Sequence, residues 1–266
     1  MPHELAHICH FVLDLDGTLY RGNHLFPQTI PFLSQLRTLG LGYTFLTNNT
    51  SRSKADYVAK LAKLGIATTA DEIYTPADST IAHLREQLPQ VAAIAVLGTP
   101  SLCEQFEHAG FHLSWDAPQA VIVGFDTTLT YDRLCRTAWW ISQGLPFIAT
   151  HPDLVCPTDE PTVLIDCGSI TACLTAATGR QPLVLGKPDP AILLAVASRH
   201  GIRPSQLAMV GDRIYTDMAM ACRAGAMAVL VLSGEATAAD AKAMPQQPEL
   251  IVSHIGELGE LIQKSH

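Results

Sequence analysis

Ile8-Cys9-His10-Phe11-Val12-Leu13-Asp14-Leu15-Asp16-Gly17-Thr18 is the stretch on which the reading of this chain turns. The apolar run from Ile8 to Leu13 reads as a buried strand, and it runs into two carboxylates in alternate positions, which a strand points to one side. In an open α/β sheet that edge, outside the carboxyl ends of the strands, is where ligands bind. Asp-x-Asp alone also marks solvated turns, so the rest of the chain has to decide its meaning.

Three further polar elements follow in order, each at the end of another apolar run. Thr47-Asn48-Asn49 follows Tyr43–Leu46, Lys187-Pro188 follows Leu183–Leu185, and Gly211-Asp212 with Thr216-Asp217 follows Leu207–Val210. This ordered set resembles the four motifs of the haloacid dehalogenase superfamily of phosphohydrolases, over roughly the first and last thirds of the chain. With DLDGTLYRG (14–22), TNN (47–49), GFD (124–126), ATHPD (149–153) and GKPDP (186–190) all present, it resembles the NagD-like phosphatases of that superfamily in particular.

Composition narrows the classes. A chain of 266 residues, 48% hydrophobic and 16% charged, buries a substantial core as one large domain or two modest ones. The formal net charge of −8 and the lack of a Lys/Arg cluster exclude nucleic acid as an expected partner. The seven cysteines (Cys9, Cys103, Cys135, Cys156, Cys167, Cys173 and Cys222) are scattered without a Cys-x-x-Cys pair. That pattern speaks against a disulfide framework or zinc site and for a reducing cytoplasm. No apolar run approaches the ~20 residues that span a bilayer, and Asp14 and Asp16 break the only candidate leader, so neither export nor membrane attachment is expected.

Strand-like and helix-like segments alternate throughout, which argues for a mostly parallel sheet covered by helices. Helices are expected over Pro27–Leu39 and Ser53–Leu64, closed by Gly40 and Gly65. Between Thr47 and Lys187 lies far more chain than a crossover needs, with its own alternation. Val91–Leu97, Ala120–Val123 and Phe147–Ala149 read as strands; Ser101–Ala109, Tyr131–Ser142 and Ser169–Thr178 read as helices. The expected architecture is α/β: a Rossmann-like, doubly wound core of residues 1–78 and 183–266, with a smaller α/β cap domain inserted at 79–182. An insert between the second and third motifs is the larger cap position of the superfamily. Ala236–Met244 reads as a surface helix, and Trp139 and Trp140 as cap core or as the contact of a homodimer made through the cap.

The resemblance assigns the chemistry. Asp14 is implied as the nucleophile that takes the phosphoryl group, splitting one difficult displacement into two easier ones. Asp16 is implied as the acid that protonates the leaving oxygen and the base that then activates water. Gly17 lets the chain turn steeply after Asp16. Thr47 and the backbone N–H groups around Asn48 and Asn49 are implied donors to the phosphoryl oxygens, and Lys187 neutralises them and keeps Asp14 ionised. Asp212 and Asp217 complete an acidic cluster that would repel a phosphate dianion by on the order of 4 kcal/mol per contact pair at an effective dielectric near 20. A cation is needed, and an all-oxygen ligand set beside a phosphate selects Mg²⁺. The family pattern gives it Asp14, the backbone carbonyl of Asp16, Asp212, and Asp217 directly or through water; Thr216 and Asp217 also read as a cap of the helix through Ala224.

Specificity is expected from cap loops carrying Asp126, His151 and Asp153, and Asp166 and Ser169. Relatives commonly have Asn at the position of His151 and small residues around 166. An Asp166 facing the substrate would disfavour strongly anionic leaving groups such as phosphoglycolate. The expected activity is therefore Mg²⁺-dependent hydrolysis of small phosphorylated metabolites, sugar phosphates or nucleoside monophosphates, with p-nitrophenyl phosphate as an artificial substrate. The alternatives are a phosphotransferase or mutase using the same aspartyl-phosphate, and a binding module without turnover. A receiver domain fits less well, since there the extra acids precede the phosphorylated Asp.

Overall fold

The structure, a computed structural model, describes residues 5–157, 162–243 and 247–265. The chain divides into two compact units: 1–47, 58–74 and 187–266 form one, and 48–57 with 75–186 form the other.

The first unit is built on a six-stranded, all-parallel sheet in the order Leu250–Val252, Met227–Val231, Leu207–Gly211, His10–Asp14, Gly42–Leu46, Ile73–Tyr74. From His10–Asp14 the chain winds outward to one side through Gly42–Leu46, then returns to the other through Leu207–Gly211. The winding reverses at that central strand, which creates the crevice where such sheets bind ligands. The continuous apolar run follows from burial on both faces. Val12 packs with Met209, Ala228 and Leu230 against the helices Ala191–His200 and Ala219–Ala224. On the opposite face Phe11 meets Phe32 of the helix Thr29–Thr38 edge-on, with ring centroids 6.5 Å apart. Alternation along one strand thus feeds two cores.

The second unit repeats the plan with a five-stranded parallel sheet in the order Leu183–Val184, Phe147–Ala149, Ala120–Val123, Ala93–Leu97, His112–Leu113. Ile94, Val96, Ala120 and Ile122 face a core with Leu102 and Phe106; Leu97, Val121 and Val123 face another with Ile141, Ile170 and Leu174. A short antiparallel pair, Val155–Pro157 with Val163–Ile165, lies outside the sheet.

The edges of the insert differ from those expected near Asp78 and Pro182. Asp78 lies inside the helix Pro76–Gln87, where its carboxylate accepts from the Thr75 N–H (2.8 Å) and hydroxyl (3.1 Å) and so closes a capping box. Leu183–Val184 hydrogen-bonds to Ile148–Ala149 as an edge strand of the insert, so the change of unit falls between Gly186 and Lys187. A run that short carries no face of its own, which hid its partner. The expected helix Ala236–Met244 is found as Ala238–Ala243, its last expected residue lying outside the described residues.

Candidate active site

Asp14 is the last residue of the central strand and is paired in register with Leu46, the last residue of the neighbouring strand, so Thr47 follows just beyond that strand's end. On the other side Leu13 is level with Val210, which brings Gly211 and Asp212 to the same edge. Parallel register therefore assembles the first, second and fourth motifs. Gly17 takes φ +89°, a conformation that favours glycine, and its N–H donates to the Tyr20 carbonyl (2.7 Å), closing the turn that carries Asp16. The Gly22 N–H donates to the Asp16 carboxylate at 3.3 Å.

Lys187 comes from the start of the returning segment, just before the helix Ala191–His200, and is almost wholly buried. Its ammonium donates to Asp14 Oδ1 in a short contact and lies 2.7 Å from Asp217 Oδ1. Burial alone would push its pKa down, but Asp14 and Asp217 more than offset that and hold it above the ordinary lysine value. The cluster therefore contains a permanent cation.

Asp217 sits in a π-helical turn, Ile214–Met218, a widened turn of the kind that recurs at functional sites. Its Oδ2 accepts from the Arg213 N–H at 3.2 Å. Asp212 Oδ2 accepts from the Glu235 N–H at 2.7 Å, while its buried Oδ1 has no hydrogen-bond partner among the described residues. Burial pushes Asp212 up to about 7, with Asp14 and Asp217 adding to the rise, and pushes Asp217 up to about 6 against the pull of Lys187. Asp16 is raised by the protein packed around it, an effect opposed first by the Lys60 ammonium and then by the Gly22 N–H.

Asp14, Asp212 and Asp217 can each turn one oxygen to within 4.8 Å of the others. A Cβ at Gly17 or Gly234 would overlap the Asp212 carboxylate, and one at Gly211 would overlap that of Asp217. Backbone thus closes around oxygen donors that burial alone would tend to protonate. An orphaned carboxylate oxygen, all-oxygen donors and uncompensated negative charge fit a hard divalent cation.

Other expected residues are engaged elsewhere. The Asn48 side-chain amide donates to Asp153 (3.3 and 3.4 Å), and Asn49 Oδ1 accepts from the Ser51 N–H (2.9 Å) and hydroxyl (2.6 Å). Asp126 accepts from Thr128 and pairs with Arg133 at 2.9 Å. His151 Nε2 is 3.2 Å from Asp166 Oδ1, and Ser169 Oγ donates to the Leu154 carbonyl at 2.7 Å. Trp139 is 60% exposed, whereas the Trp140 indole N–H donates to the Trp115 carbonyl. Sequence reasoning missed the loop Ser233-Gly234-Glu235, which follows the strand Met227–Val231. It holds Asp212 through a backbone N–H and ties Ser233 Oγ to the Gly17 carbonyl (2.7 Å). A Ser-Gly turn at the end of a buried strand was its one visible signal.

A doubly wound parallel sheet whose carboxyl edge gathers three carboxylates, a buried lysine and a glycine cradle defines a metal-assisted, phosphate-handling α/β hydrolase. The chain belongs to the haloacid dehalogenase-like hydrolases: residues 11–112 match the family described as haloacid dehalogenase-like hydrolase, and residues 184–258 a related HAD-hydrolase-like family. The ribonucleotide monophosphatase NagD of Escherichia coli is 31% identical over 93% of this chain and 96% of its own length. The 4-nitrophenylphosphatase of Thermotoga maritima superposes with a TM-score of 0.94 at 38% identity, covering 98% of this chain and 100% of that one. The glycerol phosphate phosphatase of Mycobacterium tuberculosis, solved with magnesium, gives 0.89 at 33% identity, covering 96% of this chain and 77% of that one.

Proposed function

We propose that this phosphatase hydrolyses monoesters of small metabolites, sugar phosphates or nucleoside monophosphates, with Mg²⁺ and through an aspartyl-phosphate on Asp14. The observation that carries this reading is the ammonium of Lys187 held between Asp14 and Asp217 at the end of the central strand. It sets a cation directly against the carboxylate of Asp14 in a buried place.

In the first step an Asp14 carboxylate oxygen bonds to phosphorus while the ester P–O bond breaks, and the leaving oxygen takes a proton from Asp16. Burial raises the pKa of Asp16, a direction that favours the protonated form used in this step. In the second, Asp16 removes a proton from water, whose oxygen bonds to phosphorus and releases Asp14 and phosphate. Lys187, Thr47 and the backbone N–H groups near Asn48 hold the transferring oxygens. Asp14, the Asp16 carbonyl, Asp212 and Asp217 would hold Mg²⁺, which supplies charge neutralisation at those oxygens. The grip of Lys187 and the Arg213 N–H on Asp217 favours Asp212 as the stronger metal ligand of the pair.

A cytoplasmic location is part of this reading; among the described residues the seven cysteines are free and no helix is long and apolar enough to cross a membrane. The expected substrate readers Asp126, His151, Asp153, Asp166 and Ser169 belong to the second unit. Hydrolysis of p-nitrophenyl phosphate, with and without EDTA, tests the whole. Wild type should turn over only with Mg²⁺, and Asp14→Asn should lose at least about 10⁴-fold in kcat. Undiminished hydrolysis by that variant would refute an intermediate on Asp14, and product esterified to an added alcohol in place of free phosphate would make the enzyme a transferase.

A further inference from the structure

His151, Asp153 and Asp166 stand apart in sequence yet each offers a donor atom within 4.8 Å of the other two. All three belong to the second unit, as does Asn48, so the grouping owes nothing to the core acids. His151 and Asp166 are buried, and Nε2 and Oδ1 lie 3.2 Å apart. A plain histidine–aspartate hydrogen bond accounts for that distance, but it does not account for a second carboxylate in the same small space. Two carboxylates whose oxygens lie within 4.8 Å of each other repel.

Both carboxylates are nonetheless fixed there. Asp153 is oriented by the Asn48 amide (3.3 and 3.4 Å), and Asp166 accepts from the Cys167 N–H (2.6 Å) at the start of the helix Cys167–Thr178. The Gly168 N–H donates to the Asp153 carbonyl at 2.8 Å, and a Cβ at Gly168 would overlap the Pro152 carbonyl. Two loops are thus pressed together backbone to backbone, with their ligating side chains converging. Around an ion with bonds of about 2.0–2.2 Å, tetrahedral neighbours sit about 3.3 Å apart, close to the spacing of Nε2 and Oδ1.

We propose that His151, Asp153 and Asp166 form a second cation site, within the inserted unit, that takes a borderline divalent ion of the Zn²⁺ or Mn²⁺ class through one imidazole nitrogen and two carboxylates. The nitrogen separates it chemically from the oxygen-only core cluster, since imidazole favours such ions over Mg²⁺. Its role is to pin the loops around His151 and Asp166 together, with Asn48 and the Cys167 N–H as the supporting shell.

Pulsed electron paramagnetic resonance of tag-free, full-length protein with two equivalents of Mn²⁺ reads the difference directly. Wild type should show ¹⁴N hyperfine coupling, His151→Asn should lose it, and Asp212→Asn should keep it. In Zn²⁺ titrations His151→Asn and Asp166→Asn should each weaken one binding event by more than about 10-fold. Oxygen-only coordination in wild type would overturn the proposal, and needs no variant to fold. Nitrogen coupling that survives His151→Asn would overturn it equally, by placing the ion on another of the 11 histidines. Failure of p-nitrophenyl phosphate hydrolysis would count against the phosphatase reading and leave the nitrogen signal untouched.

Discussion

Two groups of carboxylates in this chain solve the same electrostatic problem by different means. In the core unit Asp14 and Asp217 share the ammonium of Lys187, and backbone at Gly17, Gly211 and Gly234 closes on Asp212 and Asp217. In the inserted unit Asp153 and Asp166 meet an imidazole, and loops held by side-chain hydrogen bonds do the positioning. The first stands on the ends of parallel strands whose register fixes every member; the second stands on loops. A permanent cation on a rigid edge suits chemistry in which one carboxylate must stay ionised through a reaction. An imidazole among loops suits a site whose charge balance is completed by what binds there.

The sharpest way to break that contrast is to remove the permanent cation. Lys187→Met should leave Asp14 and Asp217 buried without their counter-charge, costing about 3–5 kcal/mol of stability. It should also lower kcat by about 10²–10³-fold, the scale for losing a fixed electrostatic contact to the transition state. Urea denaturation and p-nitrophenyl phosphate kinetics measure the two separately. A variant as stable and active as wild type would show that the acids are balanced by something other than lysine.

Asp14 and Asp212 were legible because each ends or follows an apolar run that is a strand of the core sheet, whereas Lys187 follows a run that joins the other sheet and Asp217 sits in a π-helical turn, so only the order of the motifs pointed to them. The roles of Asn48 and Asn49 were less legible: residue type suggested phosphate contact, but their side chains turn to Asp153 and Ser51. The loop Ser233–Glu235 was invisible because what it contributes is a backbone N–H, which every residue but proline carries. Leu183–Val184 is too short for periodicity to reveal which sheet it joins.

Acid should act first on the core unit. His10, at the start of the central strand, bonds Thr44 Oγ1 (2.9 Å) and lies against the His200 ring, centroids 4.1 Å apart. Burial, with the neighbouring His200, lowers its pKa from 6.5 to about 4. Between those values the unfolded chain binds a proton that the folded chain refuses, so stability falls as pH falls; above pH 6.5 the residue contributes nothing to the pH dependence. The loss on going from pH 7 to pH 4.5 should be about 2–3 kcal/mol. Denaturation of wild type and His10→Gln at both pH values checks it, and parallel losses in the two proteins would exclude His10 as the source.

Gly234→Ala probes the cradle, which has no counterpart made of three glycines in the inserted cluster. Its Cβ would overlap the Asp212 carboxylate, so either the loop or the side chain must move. Mg²⁺ affinity should fall about 10–100-fold, the usual result of disturbing a ligand's support. Calorimetric titration with Mg²⁺ reads this directly, and unchanged affinity would remove Asp212 from the metal site.

Arg21 should show the smallest effect, and it isolates how the core edge is held. Its guanidinium donates to the carbonyls of Ser233 (2.9 Å) and Gly234 (3.3 Å), tying the strand that follows the Asp16 turn to the loop whose Glu235 N–H holds Asp212. The side chain is exposed, so its loss uncovers no buried charge and global stability should barely change. Arg21→Met should weaken Mg²⁺ binding about 3- to 10-fold, the equivalent of one modest hydrogen bond of roughly 1 kcal/mol. Arg21→Lys should restore part of the affinity, because both carbonyls are reached by one guanidinium nitrogen, Nη2, and an ammonium offers a comparable donor on a shorter side chain. If both variants bind Mg²⁺ as well as wild type, the loop is held without Arg21, by Ser233 Oγ on the Gly17 carbonyl and the Glu235 and Ala236 N–H groups on Asp212, and the core edge is more nearly self-supporting than the loops of the inserted cluster.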